Sequence, residues 1–331
     1  MPVSMSSSST RSAETLHADG LYQANKSLEA ITTDLEHLGA LDKKSEKEIA
    51  SFKKRGEAGC ITIAGVGILA MFLLIVSEGE IVVFPMLLLF LGLAVGVPLM
   101  ISAKKGAKAA SKNEFPDHRY LSSLGLLRLL GADISPSENV NLQINLKENP
   151  ESEVTQGREN KTTWRKMVSN ENITTLSGRL EDGTKFNFCI AEEIASAGEY
   201  FPYRALSGKT KTKLRARKRV RWRGSLRLRF KEKRYSVEAS HEPRVHSAIQ
   251  LPEGAVTKKV EIKPGELKLS AVTETLKFKH KAKQTQDIEK AWDAMGVCEP
   301  STANLISHLS AMMFLSLYQT LNSSQTKQQP S

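Results

Sequence analysis

The chain has 331 residues and a net charge of +11, room for about two domains at ~150 residues each. The excess is local: residues 209–234 carry fourteen Lys/Arg against one Glu, so the remainder sums to −2 and a partner for the charge must act on that stretch. Cys60, Cys189 and Cys298 are too few and too scattered for a disulfide framework or a zinc cluster; Cys60 in an apolar run and Cys189 in an expected strand read as buried thiols.

Residues 1–12 are Ser-rich and polar, lack the apolar core of a signal peptide, and read as a disordered tail, as do 322–331. An N-terminal helical or coiled-coil segment is expected over 13–57. Leu21, Leu28 and Leu35 recur every seven residues, with Ala24, Ile31 and Leu38 in the complementary heptad position. Such a seam either joins a homo-oligomer through 21–38 or packs the helix on the protein's own soluble part.

Residues 58–76, AGCITIAGVGILAMFLLIV, contain no charge; SEGE follows, and IVVFPMLLLFLGLAVGVPLMI runs from 81 to 101. At ~1.5 Å per residue, about 20 residues cross a ~30 Å hydrocarbon core, so 58–101 reads as a transmembrane hairpin. Lys53, Lys54 and Arg55 precede the first span, and Lys104, Lys105, Lys108 and Lys112 follow the second. Positive residues stay on the cytoplasmic side, which predicts an integral membrane protein with both termini cytoplasmic. Gly92 and Gly96 form a small-xxx-small pair for helix packing, within one chain or between chains of a homo-oligomer. Neither span holds an acidic or basic residue, which favours an anchor over a transporter.

Juxtamembrane helices are expected over 102–134. One runs from Asp117 to Leu130, with Leu121, Leu124 and Leu127 on one side and Gly131 closing it. Strand character begins at Val140, where VNLQINL alternates. In ITTLSGRLEDGTKFNFCI, 173–190, a two-residue loop mixes polar and apolar faces. A three-residue loop, Glu181-Asp182-Gly183, pairs Gly178 with Phe186 and Leu176 with Phe188 and keeps the apolar side together.

The sequence KTKTKLRARKRVRWRGSLRLRFKEKR, 209–234, places Lys or Arg at nearly every odd position, with mostly apolar or small residues between. A single strand over 209–223 would span roughly 50 Å at ~3.3 Å per residue, which favours a hairpin or a kink at Gly224. Further strands are expected at Tyr235–Ala239, Thr257–Ile262 and Glu266–Thr275. Helices are expected at 284–296 and 302–321, the second packed on the domain, interfacial, or a third span. The fold class is a membrane-anchored α+β protein: a two-helix transmembrane hairpin, a cytoplasmic β-rich domain over 135–282, flanking helices, and a C-terminal helical pair over 283–321.

Lys213, Arg215, Arg217, Arg219, Arg221, Arg223, Arg227, Arg229 and Lys231 form the candidate anion- or lipid-binding set. Its ligand is anionic lipid headgroups or an acidic partner. Nucleic acid would use the same cations but with aromatic platforms beside them, whereas Trp222 and Phe230 fall in the apolar phase. A row of charge can also serve only to discourage edge-to-edge aggregation. GxSxG, P-loop, GxGxxG and HExxH patterns are absent, and HEPRVH at 241–246 lacks zinc-ligand spacing. Glu192 and Glu193 are adjacent, so their carboxylates diverge, and the nearby sequence offers neither a partner. No catalytic residue, metal or cofactor is expected; an enzyme would need a site assembled only by the fold.

Overall fold

The computed structural model describes residues 20–76, 83–111, 115–146, 152–159, 162–204, 210–235, 237, 242–283 and 300–324. The expected helix at 284–296 and Cys298 lie outside the described residues, as do both ends of the chain. Two compact units are formed, one from Met1–Glu36 with Pro116–Ser331 and one from His37–Phe115.

In the second unit, helix α1 (Leu28–Val76), which begins in the first, is accompanied by α2 (Val83–Ala110). Both are long and apolar enough to cross a membrane. Their apolar side chains are largely uncovered: Ile61, Ile68, Phe72, Leu87 and Phe90 are exposed. An apolar surface of this extent is stable only against lipid or another apolar partner. The helices approach through glycine. A Cβ on Gly92 would lie 2.8 Å from Val66, and one on Gly96 would overlap Ile63. Within this chain, the Gly92/Gly96 face of α2 packs against Val66 and Ile63 of α1. Cys60 is exposed rather than buried, although its Sγ lies 3.7 Å from Met100 Sδ of α2.

The first unit is a nine-stranded antiparallel sheet with helices on one face. Its strands are β1 (Leu21–Ser27), β2 (Asn139–Asn145), β3 (Ser152–Glu159), β4 (Thr162–Arg179), β5 (Lys185–Arg204), β6 (Thr210–Arg229), β7 (Ala255–Lys263), β8 (Glu266–Thr273) and β9 (Leu276–Lys283). The main path runs β1-β2-β4-β5-β6-β8-β7, with β3 added to β4 and β9 to β6. Three long central strands thus make a ribbon with two arms. One arm is flanked by β2 and β8, the other by β3 and β9.

The heptad reading of 21–38 is overturned. Residues 21–27 pair with β2 as a strand, burying Tyr22 and Ala24 and exposing Leu21. Ile31, Leu35 and Leu38, in helix α1, are buried by the chain itself. Three heptads cannot separate a seam from a strand followed by an amphipathic helix, because both bury Ala24, Ile31 and Leu38. The 181–183 loop forms in the expected register, Gly178 opposite Phe186 and Leu176 opposite Phe188. Gly183 takes φ 85°, and the Leu180 N–H donates to Thr184 O at 2.8 Å.

The expected turn or kink in the basic stretch does not occur. β6 is one continuous strand through Gly224, paired along its whole length with the equally long β5. A hairpin of 209–234 on itself would set Arg opposite Arg, whereas β5 supplies alanine and glutamate at several of those positions. Lys231 is off the strand, in the turn that follows. Tyr235 makes an isolated bridge and Val237 is not in a strand; residues 236 and 238–239 of the expected strand lie outside the described residues.

α3 (Asp117–Leu130) and α5 (Pro300–Ser323) cover the apolar face, with a short α4 (Glu242–Ala248) before β7. On α3, Leu124 and Leu127 are buried but Leu121 is exposed. Gly131 ends the helix in ordinary right-handed geometry, φ −60°. α5 packs on the sheet: Leu309, Met313 and Leu317 are buried, and Phe314 lies 5.5 Å from the Phe188 ring centroid. Gly224 faces this helix, and a Cβ there would stand 2.6 Å from Met313 Sδ. Its role is close approach rather than bending. Gly224→Leu is expected to cost about 1–3 kcal/mol by overpacking, with part of the loss recovered by Met313→Ala; chemical denaturation of both variants in detergent measures this.

Candidate anion-binding face of the sheet

Side chains alternate across a strand, and β6 sorts its apolar and cationic residues accordingly except at Lys218, which takes the apolar phase and stays half-exposed. Leu214, Ala216, Val220, Trp222, Leu226 and Leu228 are buried on one face. Lys213, Arg215, Arg217, Arg219, Arg221, Arg223, Arg227 and Arg229 project on the other, each exposed or half-exposed. One face therefore receives every member of the sequence-derived set except Lys231.

The charged row is not uniform. Arg221 and Arg223 both pair with Glu193. Arg227 and Arg229 both reach Glu266, at 3.3 and 3.0 Å. Arg215 Nη1 lies 3.1 Å from Glu199 Oε1. Between Arg215 and Arg221, whose charges are paired or shared with a carboxylate, stand Arg217 and Arg219, with no acidic partner among the described residues. Strand β9 adds cations instead of acids: Lys277 is opposite Arg219, and Lys279 opposite Arg217. Like charges facing across strands destabilise a sheet, so this quartet is a place of net electrostatic cost. A groove of about 620 Å³ runs beside it, lined by Arg219, Arg221, Lys277, Asn170, Ala195 and Thr275. A second, of about 580 Å³, is lined by Arg217, Arg219, Lys277, Lys279 and Phe278.

The opposite face holds a buried ionic cluster that sequence reasoning missed. Glu192 follows the inward phase of β5, one residue from outward-facing Glu193. Its Oε2 lies 2.9 Å from Arg119 Nη2, on α3, and its Oε1 accepts the Trp222 indole N–H at 3.1 Å. His118 Nε2 is 3.3 Å away, and Arg119 also approaches Glu171 at 3.4 Å. Burial opposes ionisation of Glu192. The adjoining His118 imidazole and the Arg119 guanidinium outweigh it and hold the carboxyl down at about 2. The cluster lies outside both grooves and ties α3 to β5 and β6.

Lys277 and Lys279 were also missed, although LKFKHKAK repeats the alternation of Lys with other residues seen in β6. That was their signal. Arg119 and Glu192 left only the faint signal of a charge at an apolar phase. In the short helix α4, His246 Nε2 sits 3.7 Å from Glu242, an ordinary i,i+4 contact; His241 lies outside the described residues. No family model, curated protein or solved structure matches this chain.

Glu192→Ala is expected to cost about 3–5 kcal/mol by leaving Arg119 without its closest buried carboxylate. Glu193→Ala should cost about 1 kcal/mol or less, since its arginine partners reach solvent. Because the folded pKa of Glu192 is depressed from 4.5, its stabilisation is full above that value and fades as pH falls toward 2. Denaturation midpoints of the two variants against wild type across that window measure both effects.

Proposed function

We propose that the protein is a membrane-tethered binding module that contacts anionic lipid headgroups through Arg217, Arg219, Lys277 and Lys279. On this reading it is integral to the membrane, with both termini cytoplasmic, and it has no chemistry of its own. The observation that carries it is the exposed quartet of cations, with no carboxylate contact among the described residues, in a row whose other arginines each contact a glutamate. Basic residues near an anionic surface contribute ~1 kcal/mol each and act within a Debye length of ~8 Å. Tethering by the two apolar helices would raise the effective concentration of that surface, so weak attraction suffices.

A nucleic-acid ligand would use the same phosphate contacts. Single-strand binding gains most from several aromatic side chains on the charged side, whereas Phe278 is the one aromatic residue among the described linings of the two grooves and, like Tyr200, packs against Leu214 and Ala216 of the other face. The lipid reading is favoured for that reason.

Full-length protein in zwitterionic nanodiscs is expected to co-float with phosphatidylserine-containing vesicles and not with pure phosphatidylcholine vesicles. Arg217→Ser with Arg219→Ser should weaken that binding by roughly tenfold or more, from ~1 kcal/mol per residue. Arg227→Ser with Arg229→Ser should weaken it less, because both guanidinium groups are already engaged by Glu266. Equal flotation with both vesicle types, or displacement by oligonucleotide at physiological salt, would exclude the lipid reading.

A further inference from the structure

On the outward face of β5, four alternate positions read Glu193, Ala195, Ala197, Glu199. Their partners on β6 are Arg221, Arg219, Arg217 and Arg215 in turn. The outer two rungs are ion pairs. At the inner two the acid is replaced by alanine, and on the far side β9 contributes Lys277 and Lys279. Ala195 is exposed and Ala197 half-exposed. The face therefore has a shallow notch with a methyl floor, four cations along one side, and carboxylates at both ends.

We infer that this notch is a site for a compact scaffold bearing two or more phosphomonoesters, such as a polyphosphorylated lipid headgroup or its soluble counterpart. The inference rests on the lipid-binding reading and sharpens its ligand class. Two rungs of cations stand ~6.6 Å apart along the strand at ~3.3 Å per residue, and strands are ~4.8 Å apart across the sheet. One monoanionic group can reach a single rung, whereas paired dianions on one scaffold can engage both. The planar guanidinium of arginine matches two phosphate oxygens at once. The alanine floor admits the ligand close to the guanidinium planes. The flanking carboxylates Glu193 and Glu199, ~20 Å apart along β5 at ~3.3 Å per residue, bound the notch and disfavour an extended polyanion lying along the whole row.

The alternation itself supplies the decisive variant. Ala195→Glu with Ala197→Glu completes the row of acids opposite the arginines. It should raise the melting temperature of the free protein by relieving like-charge repulsion, and at the same time abolish phosphate binding. Full-length protein in zwitterionic nanodiscs would be tested against soluble inositol trisphosphate, and against vesicles containing phosphatidylinositol bisphosphate or phosphatidylserine at matched surface charge. Binding to the bisphosphate vesicles and to the trisphosphate at least tenfold tighter than to phosphatidylserine, lost in the double variant, supports the site. Should the double variant fail to fold, Arg217→Gln with Lys279→Gln must show the same loss. Equal affinity for the two anionic vesicles overturns the phosphomonoester site while leaving the anionic-surface reading standing. Trisphosphate binding without vesicle binding keeps the site and overturns the lipid reading. Unchanged trisphosphate binding in the folded double variant overturns the placement of the site in this notch.

Discussion

The register between β5 and β6 governs the rest of the soluble architecture. The two strands pair from Lys185 with Arg229 through to Arg204 with Thr210 with no bulge. A one-residue slip would turn Trp222 outward and drive Arg221 and Arg223 into the helical layer. That penalty applies at every rung at once, so a ribbon longer than usual strands holds a single alignment. The helices on one face and the charge on the other are both consequences of this alternation.

Glu192 and Glu193 show the same constraint at its sharpest. The two carboxylates are covalent neighbours with opposite surroundings. Glu192 is enclosed by Arg119, His118 and Trp222, and Glu193 bridges Arg221 and Arg223 at the surface. Removing two charges from water is costly unless each is paired and hydrogen-bonded; the Arg119–Glu192 contact and the indole donor meet that requirement. The outward glutamates have a different effect. Glu193, Glu199 and Glu266 contact five of the β6 arginines, two of these glutamates being shared by a pair, and their distribution leaves Arg217 and Arg219 as the arginines with no carboxylate contact among the described residues. Net charge alone would have overstated the extent of the available cationic surface.

The second unit follows a different logic. Its helices expose long apolar side chains that a water-soluble bundle would cover. Their mutual approach uses glycine, which lets the two backbones come close together. Adding bulk at Gly92 or Gly96 would separate the helices, because Val66 and Ile63 already occupy that space.

Much of this was legible locally. Two uncharged runs of about 20 residues specify apolar helices, because hydrophobicity and length are properties of the segment itself. Asp117–Leu130 and the 181–183 turn were equally readable, from one period or one face-matching test within a single stretch. Strand β1, the unbroken course of β6 and the packing of α5 were not, since each depends on a partner distant in sequence: β2 for the first, β5 for the second, the sheet face for the third. The charged face shows the division most plainly. Alternating arginines announce a cationic surface in the sequence, but which of them remain unpaired was decided by Glu193, Glu199, Glu266, Lys277 and Lys279, brought alongside only by strand pairing.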